Sequence, residues 1–369
     1  MIFGEEKKFL LQHGHAKNVL KTFPEKIFQT VVTSPPYWSL RDYFSDEQLG
    51  QEETFEEYVS DLVDILDEVK RVLRDDGTLW LNIGDSYNSS SGWSRSKGDW
   101  KRKGRENGSA DKKEIKHSVV KKKELFGIPW RVAFALQENG WYLRSDIIYF
   151  KTNPMPDGAK DRPTHGHEYI FLFSKKPNYY YDYYATLEET KEKPNNVMKF
   201  GAKNQKGTFR CDQNRTFEHY GKRNKRSVWE VPVSSFKGNH YATFPAALID
   251  PCILAGTSEK GCCLECGRPL ERKMEKVKVE SEKGKGYDLR LVSDGWEKKC
   301  NCKTDLTRKC LVLDPFSGMA TTGIVALTHF SDYVGIDTNI DYINKSRNRL
   351  LKTGEAGLEE VKDIKDFFE

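Results

Sequence analysis

The sequence predicts an α/β fold, in which helices cover both faces of a parallel sheet, and two segments carry this prediction. In the first, a strand at residues 27–32 is followed by an amphipathic helix and a strand at 78–83. In the second, the apolar strand 311–313 leads through a turn of small residues into a helix, and a further strand follows at 333–337. A strand, a crossover helix and a second strand form a βαβ unit, which is typical of parallel sheets.

The helix of the first unit has start and stop signals of its own. Thr54 is the expected N-cap, and Glu57 completes a capping box. Apolar residues then recur at helical spacing, and Asp76-Gly77 is expected to end the helix. Two more strands, at 141–150 and 167–173, fit a hairpin at the edge of the sheet.

Length and composition place the chain in a broad class. Its 369 residues can bury a full core. It has no run of 18 apolar residues and no N-terminal signal pattern, because the chain becomes charged at Glu5. We therefore expect a soluble cytoplasmic protein that does not enter a membrane.

The net charge of +5 is unevenly distributed. Residues 91–124 hold 12 Lys and Arg against 5 Asp and Glu, and residues 191–226 hold 11 against 3. Subtracting both segments from the 60 basic and 55 acidic residues leaves 37 and 47, an acidic body. Two basic inserts on an acidic body favour an enzyme that grips nucleic acid with loops, although each insert alone fits a solvated linker.

The first strand runs into the sequence Thr-Ser-Pro-Pro-Tyr-Trp at 33–38. Two consecutive prolines end the strand and fix an extended loop. The loop presents the Ser34 hydroxyl, the carbonyls of Pro35 and Pro36, and the ring of Tyr37. Ligands bind at the carboxyl ends of strands in open α/β sheets. The loop suits a flat heterocycle with an amino group, and the alternative is a turn with aromatic packing only.

A second strand end carries the turn Asp-Pro-Phe-Ser-Gly-Met-Ala-Thr-Thr-Gly at 314–323, directly before a helix. This arrangement predicts a cofactor cradle, although G-x-G-x-x-G and Walker patterns are absent. Asp337 ends the next strand about twenty residues later, where an acidic residue typically binds ribose hydroxyls. Together they favour a nucleoside cofactor without a pyrophosphate over an ordinary strand-to-helix connection.

Five of the eight cysteines lie close together in the chain. Cys263-x-x-Cys266-Gly, paired with Cys300 and Cys302, fits a structural site of four thiolates around zinc. Buried free cysteines and a redox pair are the alternatives, and Cys262 beside Cys263 leaves one ligand open.

By these residues the chain resembles the amino-directed DNA methyltransferases, of the type in which the catalytic motif precedes the cofactor motif. The Thr-Ser-Pro-Pro-Tyr-Trp and Asp-Pro-Phe-Ser-Gly motifs are accompanied by matching segments at 79–85, 153–156 and 240–245. The cysteine pairs resemble a zinc ribbon of some relatives. The resemblance implies a Rossmann-like methyltransferase sheet with helices on both faces, a basic target-recognition insert and a small zinc-ribbon-like insert.

The resemblance also implies S-adenosylmethionine as cofactor and a target base rotated out of double-stranded DNA. Ser34 and the Pro35 carbonyl would accept hydrogen bonds from the exocyclic amine, and Tyr37 would stack on the base. The implied catalytic residues are Ser34, Pro35, Pro36 and Tyr37. The implied cofactor contacts are Asp314, Pro315, Phe316, Ser317, Gly318, Thr321, Thr322, Asp337, Thr243, Phe244 and Pro245.

Two departures from the family pattern matter. Met319-Ala320 stands where the family has Ser-Gly, and we expect it to narrow the pocket or shift its backbone. Ser34 stands where Asp or Asn favours adenine, and serine favours N4 of cytosine. We therefore predict a cytosine-N4 enzyme, with adenine-N6 methylation as the runner-up. A DNA-binding module without activity and an RNA or protein methyltransferase are the further alternatives.

The resemblance divides the chain into five parts. These are a catalytic half at 1–174 with a mobile basic loop at 88–124, a target-recognition insert at 175–228, a return to the catalytic domain at 229–260, the zinc-ribbon-like insert at 261–303 and a cofactor-binding half at 304–369. We expect a prokaryotic, archaeal or phage-encoded protein. A cognate restriction endonuclease, a homodimer and the recognition sequence stay open.

Overall fold

The computed structural model describes residues 6–40, 48–88, 119–190, 198–200, 215–217, 222–233, 244–280, 287–353 and 357–368. Its strands are β1 (Lys7–His13), β2 (Phe28–Thr33), β3 (Leu73–Ile83), β4 (Tyr142–Lys151), β5 (His167–Ser174), β6 (Glu188–Glu189), β7 (Met198–Phe200), β8 (Arg215–Phe217), β9 (Lys222–Arg223), β10 (Val228–Val231), β11 (Cys262–Cys263), β12 (Glu271–Glu280), β13 (Tyr287–Glu297), β14 (Thr307–Arg308), β15 (Leu311–Asp314), β16 (Asp332–Asp337) and β17 (Leu358–Glu360). Its α-helices are α1 (Ala16–Leu20), α2 (Phe55–Val72), α3 (Ile128–Glu138), α4 (Ala246–Gly256), α5 (Thr321–Thr328) and α6 (Ile340–Leu351).

A nine-stranded sheet in the order β10-β4-β5-β3-β2-β15-β16-β1-β17 forms the centre of the fold. Strand β5 runs antiparallel to both of its neighbours, β3 and β4. All other pairings in this sheet are parallel. The sheet is therefore mixed and not wholly parallel, because the hairpin connection from β4 makes the chain reverse at β5.

The predicted hairpin of β4 and β5 is confirmed, but its place at the sheet edge is wrong. Residues 228–231 return to the sheet as β10 and pair parallel with β4, with Trp229 opposite Tyr149. Strand β10 covers the exposed edge that the hairpin alone would leave. This pairing joins residues 80 positions apart in the chain, so local sequence patterns do not reveal it.

Helices cover both faces of the sheet, as predicted. Helices α1, α2 and α3 bury their apolar residues in one core with Phe28, Val31 and Leu79 of the sheet. Helices α4, α5 and α6 form a second core on the opposite face, with Val32 and Trp80. Adjacent residues of a strand point to opposite faces, so Val31 and Val32 belong to different cores.

The capping box at the start of α2 is confirmed. The Thr54 hydroxyl accepts from the Glu57 amide at 3.2 Å, and the Glu57 carboxylate accepts from the Thr54 amide at 3.1 Å. The predicted end of this helix at Asp76-Gly77 is wrong, because α2 ends at Val72 and β3 begins at the extended residue Leu73. Pairing with β2 extends the chain immediately after the helix.

The first strand and the first helix have no counterpart among the predicted elements. Strand β1 lies between β16 and β17 and pairs parallel with both. Its sequence, KKFLLQH, is short and carries two lysines, so it is not recognisable as a buried strand without the structure. The connection from β1 to α1 nevertheless reaches the candidate site.

The two basic segments are described only in part. Residues 89–118 lie outside the described residues, but the ends of this loop meet, because the Asn88 amide donates to the Glu124 carbonyl at 2.8 Å. Residues 191–197, 201–214 and 218–221 also lie outside them. In the described parts of the second segment, β7 pairs with β8, and β9 pairs with β6, which lies just before the segment.

Next to the cysteines, β12 and β13 pair into a long antiparallel ribbon. Strands β11 and β14 join its base to the main body. Among the described residues, no helix has the length and apolar character needed to cross a membrane.

Candidate active site

A cleft opens between the carboxyl ends of β2 and β15, next to the end of β16, and it holds about 910 Å³ of empty space, partly open to solvent. The strand order reverses at the β2–β15 pair, which is where ligands bind in doubly wound sheets. The lining residues come from distant parts of the chain: Gly14, His15, Ala16, Ser34, Pro36, Gln48, Leu49, Phe244, Asp314, Pro315, Phe316, Ser317, Gly318, Met319, Thr321, Asp337, Thr338 and Tyr342. The structure therefore brings the proline loop and the predicted cradle to one cavity.

Asp314, at the end of β15, is a buried carboxyl at the floor of this cleft. Its Oδ1 accepts from the Thr33 hydroxyl at 2.6 Å and from the Phe316 amide at 3.1 Å, and its Oδ2 accepts from the Thr322 hydroxyl at 2.7 Å. Burial raises the pKa of Asp314 to about 6, although the three hydrogen bonds act in the opposite direction. Asp314 is thus rigidly held and available to a cationic ligand group.

The turn after Asp314 is held from two sides. The Gly318 amide donates to Oδ2 of Asp337 at 2.8 Å, and the Ser346 hydroxyl donates to the Gly318 carbonyl at 2.6 Å. Gly318 has a φ of +50°, a conformation that favours glycine, and a Cβ built there would meet the Phe316 carbonyl oxygen at 4.0 Å, an ordinary contact distance. The second Asp337 oxygen accepts from the Asn339 amide at 2.8 Å. The Asp337 side chain therefore shapes the turn and also lines the cleft.

The departure at Met319-Ala320 has a structural consequence. Met319 is buried and lines the cleft, so its side chain occupies space that a serine would leave. Ala320 has a φ of +53°, a left-handed conformation that strains residues other than glycine. Arg349 holds this strained turn by donating to the Met319 carbonyl at 2.7 Å.

The proline loop places its residues at different depths. Ser34 and Pro36 line the cleft, whereas Pro35 is buried beneath them. The Tyr58 hydroxyl on α2 donates to the Pro36 carbonyl at 3.0 Å and fixes the loop against the helix.

The Tyr37 hydroxyl belongs to a polar array beside the cleft that sequence reasoning missed. Its hydroxyl donates to Oε2 of Glu168 at 2.8 Å. The same oxygen accepts from Asn82 Nδ2 at 3.2 Å, and Oε1 of Glu168 binds the Lys151 ammonium. Burial, and then the Glu168 charge, hold the pKa of Tyr37 well above its usual value. The phenol therefore stays protonated.

The ring of Tyr37 packs directly on Gly84, where a Cβ would lie 2.7 Å from the ring atom Cε2. Only glycine permits this approach. Gly84 belongs to the matching segment 79–85 but has no predicted role.

Not every predicted site residue reaches the cleft. Those that line it are Ser34, Pro36, Phe244, Asp314, Pro315, Phe316, Ser317, Gly318, Thr321 and Asp337. Pro35 and Tyr37 lie behind it, Thr322 supports Asp314 from the interior, and Pro245 is the N-cap of α4. Thr243 lies outside the described residues.

Several lining residues were not predicted. Gly14, His15 and Ala16 follow β1, and Tyr342 lies on α6. Their positions depend on where β1 sits in the sheet, so the signal that could have found them is the β1 pairing itself. Gln48 and Leu49 close the opposite side.

A second cluster lies near the base of the ribbon. Sulfur atoms of Cys263, Cys266, Cys300 and Cys302 all lie within 4.8 Å of one another. Four sulfurs about 2.3 Å from a zinc ion lie about 3.8 Å apart, so this thiol set fits a tetrahedral site. Cys262 is not in the cluster; it is buried, and its thiol interacts with that of Cys310.

An α/β sheet of this order, with a Ser-Pro-Pro-Tyr loop and an acidic cradle sharing one cleft, defines a class of methyltransferase folds. A family model described as DNA methylase matches residues 28–266, more than half of the chain. The chain belongs to this family, the amino-directed DNA methyltransferases.

Similar proteins cover almost the whole chain. It is 38% identical over 349 residues to the type II methyltransferase M.Cfr9I of Citrobacter freundii, covering 92% of this chain and 87% of that one. It is 36% identical over 339 residues to the type II methyltransferase M.SmaI of Serratia marcescens, covering 92% and 89%.

Two solved structures share the fold. PvuII DNA methyltransferase (cytosine-N4-specific) has a TM-score of 0.54 at 17% identity, with 96% of this chain and 92% of that chain covered. TTHA0409 from Thermus thermophilus, complexed with S-adenosyl-L-methionine, has a TM-score of 0.50 at 20% identity, with 96% and 100% covered.

Proposed function

We propose that the protein is a type II DNA methyltransferase that transfers a methyl group from S-adenosylmethionine to N4 of a cytosine in duplex DNA. One observation carries the proposal. Ser34, which can accept a hydrogen bond from an amine, lines the same cleft as Asp314, Gly318 and Asp337. An amine held at Ser34 would therefore meet a cofactor held in the cradle.

The residues of the cleft fit the cofactor. Asp314 and Asp337 offer carboxylates to ammonium and hydroxyl groups, and Phe244, Leu49 and Met319 offer apolar surface. Gly318 lines the cleft and has no side chain, so a ligand could approach its backbone closely. S-adenosylmethionine would supply an electrophilic methyl group there. Residues of the chain would hold and orient it, and membership of the DNA methylase family supports this assignment.

The proline loop supplies the other half of the reaction. The Ser34 hydroxyl and the Pro35 carbonyl would accept the two hydrogens of the exocyclic amine and direct its lone pair toward the methyl group. Such positioning can account for a large part of the rate enhancement. Tyr37, fixed on Gly84, would present its ring to the base.

The choice of base rests on Ser34 and on the family resemblance. Serine in this position favours cytosine N4, and adenine N6 stays the alternative because both bases present a similar amine. PvuII DNA methyltransferase is cytosine-N4-specific, but at 17% identity its likeness bears on the fold alone.

The proposal includes double-stranded DNA as substrate and a place in a type II restriction–modification system, in line with the relatives. The parts at 88–124 and 175–228 would hold the DNA, because their charge is basic while the rest of the chain is acidic. A cognate endonuclease and a homodimer stay predictions. Zinc at Cys263, Cys266, Cys300 and Cys302 would stabilise the ribbon.

A labelled-methyl transfer assay tests the activity. Purified protein and methyl-labelled S-adenosylmethionine are incubated in three separate reactions, with duplex DNA, with RNA and with protein as the substrate. We expect label in duplex DNA alone, and at least a 100-fold loss with Ser34→Ala at unchanged cofactor affinity. Cofactor binding without transfer to any DNA would instead support a binding module that has lost catalysis.

A further inference from the structure

Met155 is an exposed apolar side chain in the loop between β4 and β5. Its exposed fraction is 87%, the highest of any large apolar side chain among the described residues. The loop lies at the same edge of the sheet as the proline loop, because β5 runs antiparallel to both β3 and β4. Single apolar side chains are common on protein surfaces, so exposure alone assigns no role. The contacts of the β4–β5 loop determine where Met155 lies.

The β4–β5 loop is closed at its base and fixed beside the proline loop. The Lys151 amide donates to the Gly166 carbonyl at 2.9 Å, which joins the two ends of the loop. The Lys151 ammonium binds Glu168 at 2.5 Å, and Glu168 accepts from the Tyr37 hydroxyl at 2.8 Å. Four residues of chain span at most about 14 Å, so Met155 lies within that distance of Lys151. The tip of the loop is therefore near the residues proposed to hold the target base.

One side of the β4–β5 loop is attached to the chain that returns from the second basic segment. The Val233 amide donates to Oδ1 of Asn153 at 2.6 Å, and Nδ2 of Asn153 donates to the Val233 carbonyl at 3.3 Å. Val233 follows β10, the strand with which the chain rejoins the sheet. Since Met155 is only two residues beyond Asn153, this attachment limits how far the tip can move.

The other side of the loop is attached to both ends of the first basic segment. The Arg162 guanidinium lies 3.8 Å from the centre of the Tyr87 ring, just before that segment. Asp157 binds the same guanidinium at 2.5 Å. The Lys123 ammonium, near the end of the segment, donates to the Asp161 carboxylate at 2.8 Å. The loop therefore lies between the two segments proposed to hold the DNA, and DNA held by both would pass over its tip.

A fixed apolar tip in this position suits the gap that a rotated base leaves in a duplex. Proteins that distort DNA often insert apolar side chains, methionine among them, between base steps. Unstacking a base costs free energy, and burying a methionine side chain regains free energy of the same order. Methionine is unbranched and adapts to irregular gaps. Pro154 and Pro156 flank Met155 and reduce the conformational entropy that insertion would cost.

We propose that Met155 inserts into the base stack of the substrate DNA and fills the space that the target base leaves when it rotates toward Ser34. This inference rests on the proposed function. It gives the β4–β5 loop a part in the reaction that neither the proline loop nor the cofactor cradle supplies. Insertion of Met155 favours the rotated base over the stacked base and leaves cofactor binding unaffected.

Single-turnover methylation by the full-length protein, on duplex DNA that the wild type methylates, tests this role. We expect Met155→Ala to slow methyl transfer about tenfold, because alanine is too short to fill the gap, with unchanged S-adenosylmethionine affinity. Met155→Leu should keep most of the rate, because leucine has a similar apolar volume. Leu351→Ala is the matched control, since Leu351 is an exposed apolar residue at the end of α6, and it should keep the wild-type rate.

A duplex in which the target base has no partner separates base rotation from other roles of Met155. An abasic site opposite the target removes the base pair and lowers the cost of rotation. We expect Met155→Ala and the wild type to methylate this duplex at similar rates. Equal slowing of Met155→Ala on the abasic and the paired duplex would overturn the proposal. A wild-type rate of Met155→Ala on the paired duplex would overturn it as well.

Fluorescence of 2-aminopurine, placed in the duplex instead of the target base, reports rotation without turnover. With S-adenosylhomocysteine present and the DNA saturated, the wild type should increase the emission, because the base leaves the stack. Met155→Ala should give a smaller increase at the same saturation, and an equal increase would contradict the insertion of Met155. A wild type that methylates no DNA would refute the proposed function and this inference with it, whereas a methylating wild type matched by Met155→Ala refutes the insertion alone.

Discussion

The Thr33 hydroxyl donates a 2.6 Å hydrogen bond to the carboxylate of Asp314, a residue 281 positions later in the chain. Thr33 ends β2 immediately before Ser34, and Asp314 ends β15 at the start of the cradle. The bond therefore ties the loop proposed to hold the amine to the turn proposed to hold the cofactor. Because catalysis by positioning depends on small distances, we expect this contact to affect how the amine and the methyl group are placed relative to each other.

Replacing Thr33 with valine should affect stability and activity together. The change keeps the shape but removes the donor, so a buried Asp314 oxygen loses a partner at a cost of about 1–3 kcal/mol. Thr30→Val is the control, because Thr30 is equally buried but bonds to Thr78 and not to the cradle. We expect similar losses in chemical denaturation, but reduced cofactor affinity, by calorimetry, only for Thr33→Val. Equal cofactor affinities would show that the bond does not shape the cradle.

Gly84→Ala should disturb Tyr37 without touching the cofactor. The added methyl group would lie 2.7 Å from the Tyr37 ring, closer than carbon atoms approach, so the ring must move. We expect turnover to fall at least tenfold with unchanged S-adenosylmethionine binding. Gly166→Ala, whose added methyl group would meet only Pro154 at 3.8 Å, should keep its turnover. Turnover equal in the two variants would remove Tyr37 from the reaction.

Tyr37→Ala removes the ring altogether. We expect a larger loss of turnover than Gly84→Ala gives, and little change in cofactor affinity, because Tyr37 does not line the cleft. Turnover and cofactor affinity of the variant are measured side by side with those of the wild type. Equal losses of both would contradict a role confined to the base.

Asp332 makes the stability depend on pH. Burial raises its pKa to about 6, so the folded protein binds this proton more tightly than the unfolded chain does. Its contribution is fully present below about pH 4 and is lost as the pH rises to about 6, by about 1.4 kcal/mol per pH unit. Asp332→Asn keeps an acceptor for the Lys8 amide but does not titrate. The free energies of unfolding are measured by chemical denaturation at pH 4.5, 5.5, 6.5 and 7.5. The stability of the variant relative to the wild type should increase up to about pH 6 and stay constant above it. If the stabilities of the two proteins changed with pH in the same way, Asp332 would not be the group responsible.

The purified protein should contain one zinc ion per chain. Cys266→Ser should lose it and unfold more easily, because its sulfur lies within the group of four. Cys262→Ser should retain it, because that thiol interacts with Cys310. Elemental analysis of the three proteins checks this. A metal-free native protein would refute the zinc proposal.

Local signals in the sequence located much of this fold. The capping box of α2 depends on neighbours three residues apart, and it is present as predicted. The βαβ patterns gave the core of the sheet because each strand is apolar by itself. Strand β1 was not predicted, because it becomes buried only by pairing with β16, more than 300 residues later in the chain.

The candidate site shows the same division. Ser34 and Asp314 stand in recognisable motifs, and both line the cleft. The sequence could not choose between Cys262 and Cys263, because adjacent residues in a strand face opposite sides and only the structure fixes which side meets the other thiols. Glu168 was part of a predicted strand, but its contact with Tyr37 joins residues 131 positions apart.

Mapping the modified bases in DNA from a host that expresses the chain tests the central claim most directly. Nucleoside mass spectrometry identifies the base, and sequencing that reads modified bases gives the site. We predict N4-methylcytosine at one short recognition sequence, and none in a host that expresses Ser34→Ala. N6-methyladenine in its place would contradict the assignment of cytosine, and DNA without any new methylated base would contradict the proposed function itself.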